Sequence, residues 1–85
     1  MIIVSQDETK IVNFDNLTQI YITQGEEKTA FFIRYETVDS LYDDLGYYKT
    51  EKRAKEVLEE IVDTYKFNRC YAVGQKQAVY QMPEE

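Results

Sequence analysis

The sequence contains few residues of the types that perform enzymatic chemistry. Histidine is absent from the 85 residues, which removes the side chain that most often acts as a general base near neutral pH. Its absence also excludes sites in which a histidine activates a serine or cysteine nucleophile. The single cysteine, Cys70, cannot supply the several Cys or His ligands of a structural zinc site. We therefore predict no catalytic, cofactor-binding or metal-binding residues, and a protein that is not an enzyme.

Two features of the types that carry chemistry have simpler interpretations. Cys70 follows Arg69, whose charge favours a reactive thiolate, but a small hydrophobic residue, buried or half-buried, explains the cysteine more simply. The segment 39–44 carries three carboxylates. It lacks the alternating ligands, central glycine and final glutamate of a calcium loop. We interpret it as a solvated hairpin loop.

Strand patterns occupy the first two-thirds of the chain. Short β-branched and aromatic runs are separated by polar turns, which predicts hairpins and an antiparallel β-meander of about four to five strands. The predicted strands are residues 2–4, 11–14, 17–23, 29–38 and 45–49, with a last one at 78–82. Residues 67–73 are open to two interpretations, a strand or an extension of the helix that precedes them.

Residues 51–66 predict one amphipathic helix. Thr50 precedes it as an N-cap, a position where its hydroxyl accepts a hydrogen bond from a free backbone amide. Apolar residues then recur with the spacing of a single helical face: Ala54, Val57, Leu58, Ile61, Val62 and Tyr65. We expect this helix to pack on one face of the sheet, in a single α+β domain that spans residues 1–85.

One helix covers only one face of a sheet, which leaves the other face open. Alternation along the predicted strands places Tyr21 and Phe32 on that open face, near Leu17 and one of Tyr47 or Tyr48. Aromatic residues surrounded by polar ones are typical of protein interfaces. The predicted interface is therefore Tyr21, Phe32, Leu17 and Tyr47. The alternatives are that the C-terminal segment covers these residues, or that they are scattered surface apolar residues.

The charge of the chain is concentrated in its strand-rich part. Residues 1–48 hold nine acids and three bases, whereas residues 49–85 hold seven of each. An acidic sheet argues against direct nucleic-acid binding, which needs a basic face, and it suits either solubility or a basic protein partner. No apolar run approaches the roughly 18 residues of a membrane helix. One cysteine forms no internal disulfide, so we expect a cytoplasmic protein without membrane association.

Four segments resemble a known group of proteins: residues 1–7 (MIIVSQD), 12–16 (VNFDN), 45–61 (LGYYKTEKRAKEVLEEI) and 80–85 (YQMPEE). The group consists of small uncharacterised proteins of low-GC Gram-positive bacteria and their phages or mobile elements. The resemblance covers about half of the chain. It implies an intracellular bacterial or prophage setting, and it carries over no active site.

Three functions are compatible with these patterns. The first is a non-enzymatic interaction or regulatory module that binds a protein partner or self-associates, for instance as a homodimer. The second is an acidic mimic of nucleic acid that occupies a DNA- or RNA-binding protein. The third is an enzyme whose site is not recognisable from the sequence. The absence of a catalytic set and the aromatic sheet face favour the first.

Overall fold

The computed structural model describes residues 1–70 and 78–85, with the backbone alone for residues 68–70. This part of the chain contains six strands and one α-helix, which confirms the α+β class. The strands are β1 (Ile2–Val4), β2 (Ile11–Asn13), β3 (Leu17–Gln24), β4 (Phe31–Thr37), β5 (Tyr42–Tyr48) and β6 (Val79–Gln81). The helix is α1 (Glu51–Cys70), and a single 3-10 turn, Phe14–Asn16, separates β2 from β3.

The strands form two three-stranded sheets. One sheet has the order β3–β4–β5 and is antiparallel throughout, as the pattern of short strands and polar turns predicts. The other has the order β2–β1–β6, in which β1 pairs antiparallel with β2 and parallel with β6. A parallel pair requires a long connection, and here residues 5–78 provide it, including β2–β5 and α1. The meander prediction did not anticipate this parallel pair.

Helix α1 packs on one face of the β3–β4–β5 sheet, and residues from both sheets share its core. The buried members of this core are Met1, Ile3, Ile33, Leu45, Tyr48, Ala54, Val57, Ile61 and Met82. Phe31 and Tyr35 of β4 and Ile20 and Ile22 of β3 pack against it, on the faces that strand alternation assigns to them. Among the described residues, α1 therefore covers one side of this sheet and leaves the opposite side open.

The start of α1 agrees with the prediction, and the helix continues beyond residue 66. The backbone N–H of Arg53 donates to Thr50 Oγ at 3.1 Å, which confirms the N-cap. The described helix extends to Cys70, so of the two interpretations of residues 67–73 the helical one is correct for residues 67–70. Residues 71–77 and the side chain of Cys70 lie outside the described residues. Val62, predicted in the apolar stripe, is 46% exposed.

The predicted acidic loop at residues 39–44 is also shorter than expected. Tyr42, Asp43 and Asp44 belong to β5, and the connection from β4 is a tight turn in which the Thr37 N–H donates to the Leu41 carbonyl at 2.8 Å. Aspartate is unfavourable in strands. The pairing of β5 with Arg34 of β4 offsets this, because Asp44 forms an ion pair with that arginine.

Candidate functional site: the open face of the antiparallel sheet

We define the open face as the side chains of β3–β4–β5 that project away from α1. Cross-strand register builds it in rows, with Tyr21 opposite Arg34 and Arg34 opposite Asp44 in one row. In a second row, Thr23 lies opposite Phe32 and Phe32 opposite Tyr47. The remaining members are Gln19, Glu36 and Tyr42. The structure thus brings together three of the four predicted interface residues, Tyr21, Phe32 and Tyr47.

The aromatic pair of Phe32 and Tyr47 lies at one end of this face. The two ring centroids are 5.4 Å apart and the rings are tilted by 53°, a geometry that is favourable for aromatic rings. Phe32 also packs over Gly25, where an added Cβ would approach its ring to 2.9 Å. Tyr47 is 37% exposed, whereas Tyr48 is 2% exposed in the core. Of the two tyrosines that the sequence left open, Tyr47 therefore belongs to the face.

Arg34 occupies the middle of the open face. Its Nε donates to Asp44 Oδ1 at 2.9 Å, and its guanidinium carbon lies 5.0 Å from the centroid of the Tyr42 ring. The hydrogen bond to Asp44, with a further one to the Tyr21 side chain, raises the pKa of Arg34. The face thus holds a guanidinium group between a carboxylate and an aromatic ring.

A β-bulge decides which residues of β5 reach the open face. Arg34 pairs with Asp44 while its neighbour Ile33 pairs with Gly46, so Leu45 is left between the two pairs. Leu45 and Gly46 are both buried as a result. The extra residue lets Asp44 and Tyr47 share the open face although simple alternation would separate them.

Leu17 differs from the prediction. Register shifts at the start of β3, so that Leu17 lies opposite Thr37 and Gln19 lies opposite Glu36. The bulge at Thr18 therefore moves Leu17 from the open face to the side of α1. There it lines a groove with Leu58 and Val62. The placement of Leu17 in the open-face interface was thus wrong, because alternation holds only where a strand is uninterrupted.

A cleft of about 240 Å³ borders the open face between β5 and the β1–β2 turn. Its lining includes Phe32 and Tyr47 together with three carboxylates, those of Asp7, Asp43 and Asp44. We call it the acidic cleft. Lys10 also lines it and reaches Asp43 at 3.7 Å. Sequence reasoning missed this cleft, because its acids come from segments that are distant in the chain.

The three carboxylates of the acidic cleft have different surroundings. Asp7 Oδ1 accepts hydrogen bonds from Thr9 Oγ and Ser5 Oγ, both at 2.7 Å, and from the Thr9 N–H at 3.0 Å. The hydrogen bonds from Thr9 and Ser5 hold the pKa of Asp7 well below its usual range. Asp44 is bonded to Arg34. Across the described residues, the acidic side chains form no cluster suited to a metal ion.

No family model, curated protein or solved structure matches this chain. In the described ranges, no helix combines the length and apolar character needed to cross a membrane. The geometry of the open face and the acidic cleft is therefore the basis on which a function is inferred.

Proposed function

We propose that the chain is a non-enzymatic protein-interaction module that binds a basic, arginine-containing segment of a partner protein. The binding surface is the open face together with the acidic cleft. The observation that carries this proposal is the pair of Phe32 and Tyr47, which lies on the face opposite α1 and also lines a cleft with three carboxylates. Aromatic rings beside carboxylates are the groups that recognise a guanidinium.

The environment of Arg34 supports an arginine as the ligand. Arg34 donates a hydrogen bond to Asp44 through Nε, and its guanidinium group lies over the Tyr42 ring. Tyr42 is 63% exposed, so it offers further aromatic surface to a partner. The net charge of −6 would draw a basic partner toward the molecule before contact.

The acidic nucleic-acid mimic is less well supported by the same geometry. A mimic must present carboxylates in rows that are free to replace phosphates. Here Asp44 is bonded to Arg34, Asp43 is paired with Lys10 and Glu36 accepts a hydrogen bond from Gln19. Carboxylates that already have partners within the chain do not form the free rows that imitation of a phosphate backbone requires.

A peptide titration tests the proposal. A peptide of alternating arginine and glycine is added to labelled protein, and amide NMR shifts are followed. We expect the shifts to map to Phe32, Asp44 and Tyr47, and affinity to fall by about tenfold in Phe32→Ala, as for an aromatic hot spot. Val79→Ala is the matched control, because Val79 is 62% exposed on β6, and it should leave the affinity unchanged.

A second variant pair separates local charge from total charge. Asp43→Asn removes a carboxylate of the acidic cleft, and Asp15→Asn removes an exposed one from the 3-10 turn. We expect only the first to weaken binding, by about two- to fivefold, which is the usual size for an exposed ion pair. Equal weakening by both, or peptide-induced shifts centred on α1, would show that the open face is not the binding surface.

A further inference from the structure

The two outer strands of the β3–β4–β5 sheet differ in how their outer edges are covered. On β5, the Gln6 N–H donates to the Leu45 carbonyl at 2.8 Å, and the Gln6 side chain bonds to the backbone of Tyr47. On β3, no strand within residues 1–70 and 78–85 pairs with the outer edge. Proteins usually protect such edges with charged residues, proline or very short strands. Strand β3 is eight residues long and contains neither a charged residue nor proline.

The sequence of this open edge is nearly symmetric. Residues 18–24 read Thr-Gln-Ile-Tyr-Ile-Thr-Gln, so Tyr21 is flanked on both sides by isoleucine and then by a small or amide polar residue. Antiparallel pairing with a second copy, centred on Tyr21, places Ile20 opposite Ile22 of that copy. It also places Gln19 opposite Thr23. Every apolar residue around the centre then faces an apolar one, and every polar residue faces a polar one.

In this register, the β3–β4–β5 sheets of the two copies turn the same face toward the same side. Directly opposed residues in an antiparallel pair project to the same side. Ile20 and Ile22 of both copies would therefore lie on the side of α1, and Tyr21 of both copies on the open face. A register shifted by one residue would place isoleucines opposite polar residues and invert one copy. The uncharged strand also places no like charges opposite each other.

An apolar groove lies beside the same edge. Its volume is about 330 Å³, and it is lined by four consecutive residues of β3, from Leu17 to Ile20, and by Leu58, Ile61 and Val62 of α1. Beyond the bulge at Thr18, Gln19 lies on the open face and Ile20 on the side of α1, so a groove that both residues line reaches the outer edge of the strand. Val62, 46% exposed although apolar, borders this groove. A second copy on the edge of β3 would lie next to this apolar surface.

From this edge, its symmetry and the adjacent groove, we infer that β3 pairs antiparallel with β3 of a second copy of the chain. The product is a dimer with two-fold symmetry and one continuous six-stranded sheet, with both helices on one side. Such an interface is self-complementary, as two-fold dimers require. It uses the edge of a strand and leaves the open face exposed, so it does not depend on the binding of a basic partner.

Cysteine cross-linking tests the register directly. In a Cys70→Ser background, Tyr21→Cys places two thiols opposite each other across the two-fold axis, with Cα atoms about 4.5–5.5 Å apart, within disulfide range. Thr23→Cys is the matched control. Its two thiols would be four residues out of register, about 14 Å apart along the strands, which is beyond the limit of about 7 Å. We expect the first variant to give at least about tenfold more disulfide-linked dimer on mild oxidation.

Two results would overturn the proposal. One is equal cross-linking by Tyr21→Cys and Thr23→Cys. The other, which needs no variant, is a wild-type chain that sediments as a monomer up to about 1 mM, the concentration at which even a weak specific dimer is populated. Neither result bears on peptide binding by the open face, because that titration is read from Phe32 and Asp44 on other strands. Circular dichroism of each variant confirms that it is folded before oxidation.

Discussion

The side chain of Gln6 pairs with the backbone of Tyr47 as a neighbouring strand would. The Tyr47 N–H donates to Gln6 Oε1 at 2.8 Å, and Gln6 Nε2 donates to the Tyr47 carbonyl at 2.9 Å. The same Nε2 also reaches the carbonyl oxygens of Pro83 and Glu84, at 3.2 and 2.8 Å. One carboxamide therefore joins the two sheets and covers the outer edge of β5.

We expect Gln6→Ala to destabilise the protein by about 1–3 kcal/mol, because it leaves several backbone groups without their partners. Gln24→Ala, at the end of β3, is the matched control, since the Gln24 side chain is exposed and makes no comparable hydrogen bonds within the described part of the chain. Urea unfolding followed by circular dichroism measures both at low protein concentration. If the two substitutions cost the same free energy, the bridge between the sheets is not a stabilising element.

The hydroxyl of Tyr48 provides a second link to the C-terminal segment. It donates to the Pro83 carbonyl at 2.8 Å, from a side chain that is 2% exposed. Tyr48→Phe keeps the ring and removes the hydrogen bond, so we expect a loss of about 1–2 kcal/mol. Tyr42→Phe, on an exposed ring, should change the free energy of unfolding little. Thermal and urea unfolding of the two variants provide the comparison.

Tyr48 also gives the protein an alkaline limit. Burial raises the pKa of Tyr48 from 10.0 to about 12. Between these values the unfolded chain loses the phenol proton and the folded chain retains it. The contribution of the protonated Tyr48 phenol to folding stability is therefore fully present below about pH 10 and is lost as the pH rises toward 12. Tyr48→Phe should remove this part of the alkaline loss, which unfolding measurements at pH 9 and pH 11.5 would detect.

Asp7 has the opposite pH behaviour. Hydrogen bonds from Thr9 and Ser5 lower its pKa in the folded state from the ordinary 3.8. The carboxylate therefore stabilises the β1–β2 turn above that value, and the stabilisation is lost as the pH falls below it. In Asp7→Asn, stability at neutral pH should drop, and the further loss between pH 5 and pH 2 should be smaller than in wild type. Asp15→Asn, which removes an exposed carboxylate outside this turn, is the control for the loss of one negative charge, and stability at neutral pH should change little.

Strand alternation predicts the correct face where a strand is continuous and the wrong face where a bulge interrupts it. Alternation placed Tyr21 and Phe32 correctly, because β3 and β4 are continuous through those residues. It failed at Leu17, because the bulge at Thr18 adds a residue that no local pattern signals. The cap at Thr50 was predictable from local chemistry, since an N-cap depends on residues adjacent in the chain.

Non-local pairing accounts for most of what the sequence did not predict. β6 has only three residues, and its parallel partner β1 is at the other end of the chain. The acidic cleft likewise combines Asp7 with Asp43, which become neighbours only when the β1–β2 turn packs beside β5. Such contacts are set by the packing of the two sheets, and local propensity contains no information about them.

The Thr37 hydroxyl is a buried polar group whose cost to stability can be measured by substitution. Its hydroxyl oxygen is buried and has no hydrogen-bond partner in the described part of the chain. Replacing it with a methyl group of similar shape removes an unsatisfied polar group, so Thr37→Val should raise stability by about 1 kcal/mol. Thr18→Val is the matched control, because the Thr18 hydroxyl donates to the Glu36 carbonyl at 3.1 Å. That variant should gain nothing or lose stability in the same urea titration.

Salt distinguishes the two proposed interactions of this protein, because long-range electrostatic forces oppose dimerisation and favour binding of the basic peptide. Two copies of the chain each carry a net charge of −6, so they repel at long range although the β3 edges are uncharged. Raising the salt from about 0.1 M to 1 M shortens the Debye length from about 10 Å to 3 Å. Self-association should therefore strengthen, while binding of the arginine-rich peptide should weaken by about tenfold or more. Sedimentation equilibrium and peptide titration in the same buffers give the two dependences.

Dimerisation that weakens with salt would indicate contacts between opposite charges, which the uncharged β3 edge does not contain.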